Sequence, residues 1–406
     1  MNCVLVTLTY PYGNGDPFLH EEMPIISEQF DHIYILPVIQ EDGEGDKLPK
    51  NAELIYWEPK AFPAKLKAFL NLGRIINEIQ FGRRMGYTNL PRMLHRAFMY
   101  EIRKHSYISA LDQFREQDCV FYSYWLAEPA YLLSWYKKNH PDAICVSRAH
   151  GYDCFKDRGY NPFRREIAEN IDHIYSISEM GREDLEKNLS HLSRNGHRPV
   201  IEVARLGVDT SNELNPAKEE TDVFRIVTCS SVVSVKRLDM MAEAFKLLNN
   251  NTGKIEWIHF GGGELLDQIK EQTGHGDESE NKHAVFKGPT PHEEILNYYQ
   301  STHVDLFVNC SDAEGIPVSM MEAMEYAIPC IGRNVGGISE LIDDRINGFL
   351  LPTETDSKML AEKINEIMDT GISDDMRTSA KRKIHKEYSN SDNYYQFAQE
   401  LIGLKK

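Results

Sequence analysis

Short apolar runs alternate with helix-length segments along most of the 406-residue chain, and this alternation restarts once. The first strand candidates are Cys3–Thr9, His32–Pro37, Cys119–Tyr122, Ala143–Arg148 and His173–Ser176. After position 220 they are Phe224–Cys229, Ile255–Gly261, Ala284–Lys287, Val304–Asn309 and Pro329–Gly332. Apolar strands that alternate with helices form parallel sheets covered on both faces. The two sets therefore predict an α/β chain with two Rossmann-like, doubly wound domains.

Composition narrows the class of protein. The net charge of −17 argues against general binding to nucleic acid. The first ten residues read as a buried strand, with neither the basic start nor the small-residue cleavage site of a signal peptide. Cysteines lie in or beside apolar runs, and none forms a C-x-x-C pair. We therefore expect a cytoplasmic protein with reduced thiols.

The most informative string is EGIPVSMMEAM, at positions 314–324, directly after an apolar strand candidate. Pro317 suits the first position of a helix, where its missing N–H costs nothing. The amides of Val318 and Ser319 would then face an anion at the helix N-terminus. Glu314 and Glu322 lie eight residues apart, which spans at most about 12 Å in a helix. Carboxylates so placed suit the two ends of a nucleotide-sugar, since both accept hydrogen bonds from hydroxyls.

With this string the chain resembles the family 4 retaining glycosyltransferases of the GT-B fold, of the type found in bacterial cell-surface polysaccharide synthesis. Their signature is a pair of glutamates separated by seven residues. The resemblance implies that Glu314 contacts the donor sugar and that Glu322 holds the ribose hydroxyls. It also assigns Ile316, Pro317, Val318 and Ser319 to the donor site. Without the rest of the string, two glutamates at this spacing would usually be solvated helix residues.

A second string, CSSVVSVKRL at positions 229–238, follows the first strand of the second set. Lys236 and Arg237 would neutralise a departing diphosphate there. The family commonly shows G-R-x-x-x-x-K-G at this place. Here Ser231 occupies the arginine position and Arg237 replaces the glycine, so we infer that Arg237 supplies the missing guanidinium. The alternative is a solvent-facing pair of cations at a helix start.

Two glycine-rich turns fit the same fold. One is FGGGE at positions 260–264, where Gly262 would lie against the donor, and the other contains Gly336 and Gly337. Glycine lets the backbone approach a ligand closely. Both turns also suit ordinary tight connections between strands and helices.

Two loops in the first half of the chain follow strand candidates. Gly13, Asn14 and Gly15 come after the first strand and are expected at the donor. They do not form the dinucleotide fingerprint G-x-G-x-x-G, because Phe18 replaces the third glycine, which disfavours a dehydrogenase. His150 and Asp153 follow a strand end, where such sheets bind ligands. By resemblance, His150 orients the donor sugar and supports the positive charge at its anomeric carbon, and Asp153 contacts an acceptor hydroxyl.

No D-x-D pair occurs in the sequence, although glycosyltransferases that use a metal generally have one. We expect neither a metal nor another cofactor. The cations Lys236 and Arg237, with the amides near Val318, would form the electrostatic clamp on the diphosphate instead.

A basic segment interrupts the acidic chain. Residues 60–104 contain ten Lys and Arg side chains but only two carboxylates, Glu78 and Glu101, with aromatic and aliphatic residues between them. Such a segment is typical of a surface that lies on an anionic membrane. Two ordinary helices with cationic solvent faces are the alternative.

The resemblance implies three regions. Residues 1–206 would be the acceptor-side domain, residues 207–385 the nucleotide-sugar-binding domain, and residues 386–406 a helix that returns to the first domain. The two domains would face a central cleft. The implied activity is transfer of a sugar, UDP-linked, to a glycan acceptor, with retained configuration. The basic segment adds the expectation that this acceptor is lipid-linked and lies at the inner face of the cell membrane. The alternatives are a sugar-nucleotide epimerase of the same fold and a non-catalytic nucleotide-binding protein.

Overall fold

The structure, a computed structural model, describes residues 1–13, 15–16, 18–41, 45–57, 71–155, 159–211, 213–218, 223–249, 253–274 and 281–405. Contacts within the chain divide it into two compact units. The N-terminal unit is Met1–Leu206 with Asn390–Lys406, and the C-terminal unit is Gly207–Ser389. The second unit is therefore inserted between the body of the first and its last helix.

The N-terminal unit contains a seven-stranded parallel sheet in the order β3-β2-β1-β4-β5-β6-β7. Its strands are β1 (Asn2–Thr7), β2 (Ile33–Pro37), β3 (Ala52–Leu54), β4 (Cys119–Ser123), β5 (Ile144–Ala149), β6 (His173–Ser176) and β7 (Val200–Val203). Its helices are α1 (Leu19–Ser27), α2 (Leu72–Arg84), α3 (Leu90–Leu111), α4 (Glu128–Asn139), α5 (Gly151–Cys154), α6 (Arg164–Asn170) and α7 (Glu179–Asn188).

The C-terminal unit contains a six-stranded parallel sheet in the order β10-β9-β8-β11-β12-β13. Its strands are β8 (Val223–Cys229), β9 (Lys254–Phe260), β10 (Lys282–Gly288), β11 (Leu306–Asn309), β12 (Cys330–Arg333) and β13 (Gly348–Leu351). Its helices are α8 (Leu238–Leu247), α9 (Leu266–Thr273), α10 (His292–Ser301), α11 (Val318–Glu325), α12 (Ile338–Leu341), α13 (Ser357–Thr370) and α14 (Asp374–Glu387).

Local sequence explains where these elements begin and how they pack. The central strand β1 is a continuous apolar run because helices cover both faces of its sheet, and Val4, Leu5 and Val6 are fully buried. Helix α13 begins where Asp356 caps it, accepting a hydrogen bond from the amide of Met359 at 2.8 Å. Its buried residues recur at helical spacing, so one face packs on the sheet: Leu360, Ala361, Ile364 and Ile367.

The last helix, α15 (Asn390–Gly403), belongs to the N-terminal unit. Phe397 is buried, and its ring lies 5.2 Å from that of Tyr122 on β4, between ring centroids. The guanidinium of Arg148, at the end of β5, lies 4.1 Å from the same ring. The amide side chain of Asn393 donates to the carbonyl of Leu206 at 3.0 Å. Helix α15 thus forms part of the core of the N-terminal unit.

Among the described residues, no helix combines the length and the apolar character needed to cross a bilayer. All seven cysteines are free thiols, and Cys229 is the one that is partly exposed.

Candidate active site

The carboxyl edge of the C-terminal sheet brings together two residues that the sequence analysis selected from distant strings. Lys236 ends a short 3₁₀ turn after β8, and Glu314 lies in the loop between β11 and α11. Nζ of Lys236 donates to Oε1 of Glu314 at 2.7 Å. Parallel strands place the loops that follow them at one edge, which explains why these two loops meet.

Glu314 is fixed by more than the lysine. The same Oε1 accepts a hydrogen bond from Oγ of Ser311 at 2.6 Å and from Nδ2 of Asn309 at 3.2 Å. Glu314 is 6% exposed. Within the described residues no donor contacts Oε2, so one oxygen of this held carboxylate keeps its hydrogen-bonding capacity.

The glycine pair at 336–337 packs against the backbone of the Glu314 loop. A Cβ atom on Gly336 would lie 1.9 Å from the carbonyl oxygen of Glu314. The amide of Gly337 donates to the carbonyl of Gly315 at 2.6 Å. Gly336 also has a positive φ of 55°, which glycine adopts at little cost. The two glycines therefore allow the loop after β12 to pack against the loop after β11, and this contact holds Glu314 in position.

Helix α11 begins one residue later than the sequence suggested. Pro317 is the N-cap, with φ −76° and ψ 109°, and Val318 is the first helical residue. The expectation that Pro317 would occupy the first helical position is wrong, because its extended ψ keeps it outside the helix. The amides of Val318 and Ser319 still start the helix, where no intrahelical acceptor exists for them. Ile316 is buried in the core beneath this turn.

Glu322 lies on α11 and has a partner that the sequence analysis did not select. Nε2 of His292, the first residue of α10, lies 2.9 Å from Oε1 of Glu322. Glu322 is mostly buried, whereas the His292 side chain is half exposed. The histidine therefore orients the glutamate from the rim of the site.

Arg237 has a backbone conformation that accounts for the glycine usual at this position in the family. Its φ is 50° and its ψ is 41°, in the left-handed region, between the 3₁₀ turn and α8. Its guanidinium contacts the carboxylates of Asp239 and Asp312, both at 3.1 Å. Arg237 is thus held beside Lys236 by two acidic neighbours.

Arg333, at the end of β12, is a buried residue of this site that sequence reasoning missed. It donates to the carbonyls of Cys310 and Ser311, at 3.2 and 3.4 Å, and to Oδ1 of Asp312 at 2.5 Å. It therefore holds the loop that carries Glu314. Its position at a strand end in a domain of this fold was the available signal.

Ser231 and Gly262 lie in adjacent loops after β8 and β9. The amide of Val232 donates to the carbonyl of Gly262 at 2.9 Å. A Cβ atom on Gly261 would lie 2.0 Å from the carbonyl oxygen of Ser230. The glycines thus allow two loops to pack backbone to backbone, and Ser231 remains exposed beside them.

In the N-terminal unit, the loop after β1 is held by Asp16. Its carboxylate accepts hydrogen bonds from the amides of Leu8, Thr9 and Tyr10, at 3.0, 2.7 and 2.8 Å. Gly15 lies so close to Thr9 that an added Cβ atom would be 2.3 Å from Oγ1. Gly13 has a positive φ of 59°, and Asn14 lies outside the described residues. The carboxylate of Asp16 therefore ties the described residues of this loop to the end of β1, which the sequence did not indicate.

His150 follows β5 and is buried among aromatic rings. Its ring centroid lies 4.4 Å from that of Trp125 and 4.7 Å from that of Tyr124. Neither ring nitrogen has a partner within the described chain. Burial, with the nearby charge of Arg148, lowers the pKa of His150 well below 6.5, so the imidazole is neutral at physiological pH. As predicted from the sequence, it lies at a carboxyl strand end.

Asp153 has a different environment from the one predicted. It is fully buried. Its carboxylate accepts a hydrogen bond from the amide of His150 and another, at 2.7 Å, from the amide of Leu126. Burial raises the pKa of Asp153 to about 7, although these two amides oppose that shift. The prediction of an acceptor contact is wrong on this geometry, because the side chain is 0% exposed and each of its two oxygens already accepts a hydrogen bond from a backbone amide. Asp153 instead positions the loop that carries His150.

Comparison with known proteins shows which proteins the chain is similar to. The family described as Glycosyl transferases group 1 matches residues 210–386. The amylovoran biosynthesis glycosyltransferase AmsK of Erwinia amylovora is 30% identical over 213 residues, which are 50% of this chain and 51% of AmsK. The O-antigen biosynthesis glycosyltransferase WbnH of Escherichia coli is 39% identical over 235 residues, 56% of this chain and 61% of WbnH. The chain therefore spans between half and two thirds of these relatives.

Solved structures extend the likeness in fold to the whole chain. The lipopolysaccharide outer core galactosyltransferase WaaB superposes with a TM-score of 0.69 at 14% identity, covering all of both chains. HepE of Anabaena, in complex with UDP and glucose, gives 0.67 at 13% identity over 99% of this chain and all of its own. Sucrose-phosphate synthase of Thermosynechococcus elongatus gives 0.71 at 13% identity, over 100% of this chain and 99% of that one.

These matches confirm the predicted fold class, an α/β chain of the GT-B type with two Rossmann-like domains. Residues 210–386 match the group 1 glycosyltransferases, and the chain is similar to bacterial glycosyltransferases of polysaccharide biosynthesis, as the sequence analysis expected.

Proposed function

We propose that this chain is a retaining hexosyltransferase that moves a sugar from a UDP-linked donor to a lipid-linked glycan acceptor. The observation that carries the proposal is the contact of Lys236 with Glu314 beside the N-terminus of α11. A fixed cation, a fixed carboxylate and free helix amides match the diphosphate and the sugar of such a donor.

Each group has a task in that proposal. Oε2 of Glu314 accepts a hydrogen bond from a donor-sugar hydroxyl, while Oε1 is occupied by Lys236, Ser311 and Asn309. Glu322, oriented by His292, accepts from the ribose hydroxyls. Two carboxylates then fix the two ends of one donor, and each accepts without competing for protons.

The diphosphate gains negative charge as its bond to the sugar breaks. Lys236 and the amides of Val318 and Ser319 offset that charge, and Arg237 contributes while it stays paired with Asp312. Groups that act on charge developing in the transition state raise turnover more than they raise affinity. In this proposal no metal is needed, and a phosphate oxygen of the donor accepts the acceptor proton.

The comparisons support the choice of donor and acceptor. HepE is in complex with UDP and glucose, and AmsK and WbnH are glycosyltransferases of amylovoran and O-antigen biosynthesis. A UDP-linked donor and a glycan acceptor are the corresponding proposal for this chain.

A lipid-linked acceptor requires a surface that faces the membrane. The described part of the basic segment offers such a surface, but with fewer unpaired cations than the sequence suggests. Four of its cations pair with groups inside the N-terminal unit, so fewer than ten positive charges are available to a membrane. Arg74 and Lys104 pair with Glu101 at 3.3 and 2.6 Å. Arg103 pairs with Glu128 at 2.7 Å, and Arg96 donates to the carbonyl of Tyr160 at 2.6 Å. The predicted contacts at 60–70 lie outside the described residues.

Arginine and aliphatic side chains are among the exposed residues of α2 and α3. We call this set the α2–α3 surface: Leu72, Ile76, Arg83, Arg84, Leu90, Arg92 and Leu94. The two carboxylates of this segment, Glu78 and Glu101, are buried. An exposed surface without carboxylates favours anionic lipid, at about 1 kcal/mol for each arginine. We therefore propose that this surface holds the enzyme on the inner face of the membrane.

A panel of nucleotide-sugars tests the central proposal. A UDP-sugar should raise the melting temperature of the wild-type chain and should yield UDP when an acceptor extract is added, with or without EDTA. An epimerase would change the donor sugar with no acceptor present. Loss of UDP release in EDTA, restored by Mg²⁺, would overturn the metal-free assignment. Stabilisation by no nucleotide-sugar would overturn the donor assignment itself.

A further inference from the structure

A pocket lies within the N-terminal unit, and Gly15 is the one lining residue that was assigned a role above, as an expected donor contact. Its volume is about 330 Å³, and it adjoins α3 and the loops after β1 and β4. Gly15, Met99, Arg103, Trp125, Glu128 and Tyr152 are among its lining residues. Pockets that bind small ligands start at about 300 Å³.

Glu128 is the unusual residue of this pocket. It is the first residue of α4 and is 6% exposed. Its Oε2 accepts a hydrogen bond from Nη1 of Arg103 at 2.7 Å, whereas its Oε1 is buried without a partner among the described residues. Burial raises the pKa of Glu128, although Arg103 opposes that shift. A buried oxygen without a donor is costly, so such a group requires a reason.

The walls of the pocket are apolar and aromatic. Met99 comes from α3, and Tyr152, which is 41% exposed, forms part of the rim. Trp125 is immobilised, because its Nε1 donates to Oδ1 of Asp16 at 2.8 Å and its ring packs on His150. A rigid indole beside a carboxylate offers a flat apolar surface and a strong acceptor to the same ligand.

The charge of the lining restricts the ligand. Arg103 is already paired with Glu128, and Arg96 donates to Tyr152, Tyr160 and Asn161. A phosphate would find no uncommitted guanidinium and would meet the Glu128 carboxylate. A neutral ligand with hydroxyl donors and apolar C–H faces, such as a glycosyl residue, fits both features.

We propose that this pocket is the subsite for the acceptor sugar, and that Oε1 of Glu128 accepts a hydrogen bond from one of its hydroxyls. The inference rests on the proposed function, because it needs a glycan acceptor. It assigns the acceptor contact to Glu128 in place of Asp153.

Saturation-transfer NMR on the full chain tests the subsite, with methyl glycosides of glucose, galactose and N-acetylglucosamine as probes. At least one should bind the wild type. Glu128→Gln should weaken that glycoside about tenfold or more, because a hydrogen bond to a charged acceptor is replaced by a neutral one. Removing the hydroxyl that Glu128 contacts, as a monodeoxy glycoside, should cost affinity in the wild type and little in Glu128→Gln.

Two further variants keep the test decisive. Tyr152→Ala removes an exposed wall of the pocket and should weaken the same glycoside severalfold even if Glu128→Gln does not fold. Glu116→Gln changes a glutamate whose side chain is 91% exposed and should bind as the wild type does. Failure of every glycoside to bind the wild type, or equal binding by the wild type and both pocket variants, would overturn the subsite.

Binding of UDP, measured on the same samples, separates this inference from the proposed function. UDP should bind equally to the wild type and to Glu128→Gln, because Glu128 is not among the residues proposed to hold the nucleotide. Absence of UDP binding in the wild type would overturn the donor proposal. Normal UDP binding with glycosides unaffected by both pocket variants would overturn the acceptor subsite alone.

Discussion

Lys236 donates to Oε1 of Glu314 at 2.7 Å, although the two residues are 78 positions apart in the chain. We predict that Lys236→Ala lowers kcat by about a hundredfold to a thousandfold, because it removes a cation that faces the growing charge of the diphosphate. Glu314→Gln should lower kcat as well, since the neutral side chain holds Lys236 less firmly. Release of UDP, followed at saturating donor, is the measurement.

Lys386→Ala is the matched control for Lys236→Ala, because its side chain is 76% exposed. Its kcat should equal that of the wild type. A Lys236→Ala enzyme with near-normal kcat/KM and an unchanged melting temperature would remove this lysine from the proposed clamp.

Glu322 and His292 should act on the donor rather than on the rate. We predict that Glu322→Ala raises the KM for the donor about tenfold or more, while kcat changes less, because a ribose contact is equal in the ground and transition states. His292→Ala should raise KM in the same direction but less, since it only orients the glutamate. Steady-state kinetics over donor concentration gives both constants, and an unaltered KM in Glu322→Ala would contradict its role.

Arg237 has a left-handed backbone conformation and a guanidinium that is proposed to act on the diphosphate. Two substitutions separate these two properties. Arg237→Gly should be more stable than Arg237→Ala by about 1 kcal/mol, because glycine adopts a φ of 50° without the steric cost. Both should lose activity if the guanidinium acts on the diphosphate. Urea unfolding of the two variants provides the comparison, and equal midpoints would show that the conformation carries no strain.

His259, at the end of β9, predicts how the stability of the C-terminal unit depends on pH. Its Nδ1 lies 2.9 Å from Oγ1 of Thr228, and burial lowers the pKa of His259 from 6.5 to about 4. As pH falls, the unfolded chain therefore binds this proton before the folded chain does. The contribution of the neutral imidazole is complete above about pH 6.5 and is lost as pH falls toward about 4.

His259→Gln should therefore flatten the loss of stability over that range. The largest expected difference in slope is about 1.4 kcal/mol per pH unit, which corresponds to one proton. Unfolding free energies at pH 7, 6 and 5 measure it. Wild-type and variant curves that run parallel would contradict the prediction.

The α2–α3 surface should bind anionic membranes through its arginines. The variant with Arg83, Arg84 and Arg92 changed to Glu should lose co-sedimentation with anionic vesicles, and wild-type binding should weaken as salt rises. A control with the same change of charge, at exposed Arg115, Arg194 and Arg345, should still sediment. If both variants sediment like the wild type, the surface does not bind membranes.

The sequence predicted the interior of each sheet better than its edges. All ten strand candidates are strands of the structure, because a strand covered on both faces is a continuous apolar run. Among the described strands, those that were missed are β3, β7 and β13. All three lie at sheet edges, β3 and β7 contain no buried residue, and β13 is buried only at its two ends. An edge strand has one neighbour and less apolar cover, so its sequence carries a weaker signal.

In the candidate site, residues within local motifs were predicted, whereas their partners from distant parts of the chain were not. Motifs within one stretch of chain led to Glu314, Glu322 and Lys236. Lys236 and Glu314 lie in adjoining loops, and Glu322 lies on the helix that follows the Glu314 loop. Partners contributed by other elements were not predicted, because no local pattern marks them: His292 from α10 and Arg333 from β12. Asp153 was misassigned since its environment depends on burial, which a motif does not specify.

The insertion of the C-terminal unit before α15 has a consequence for synthesis on the ribosome. The N-terminal unit begins at Met1 but includes Asn390–Lys406, whose Phe397 fills its core. The C-terminal unit, Gly207–Ser389, needs no later residue. Vectorial synthesis usually lets the earlier domain fold first. In this chain the later unit emerges whole while the earlier one still awaits its final helix, so a nascent chain stalled before residue 390 would leave uncovered the rings of Tyr122 and Tyr175, against which Phe397 packs.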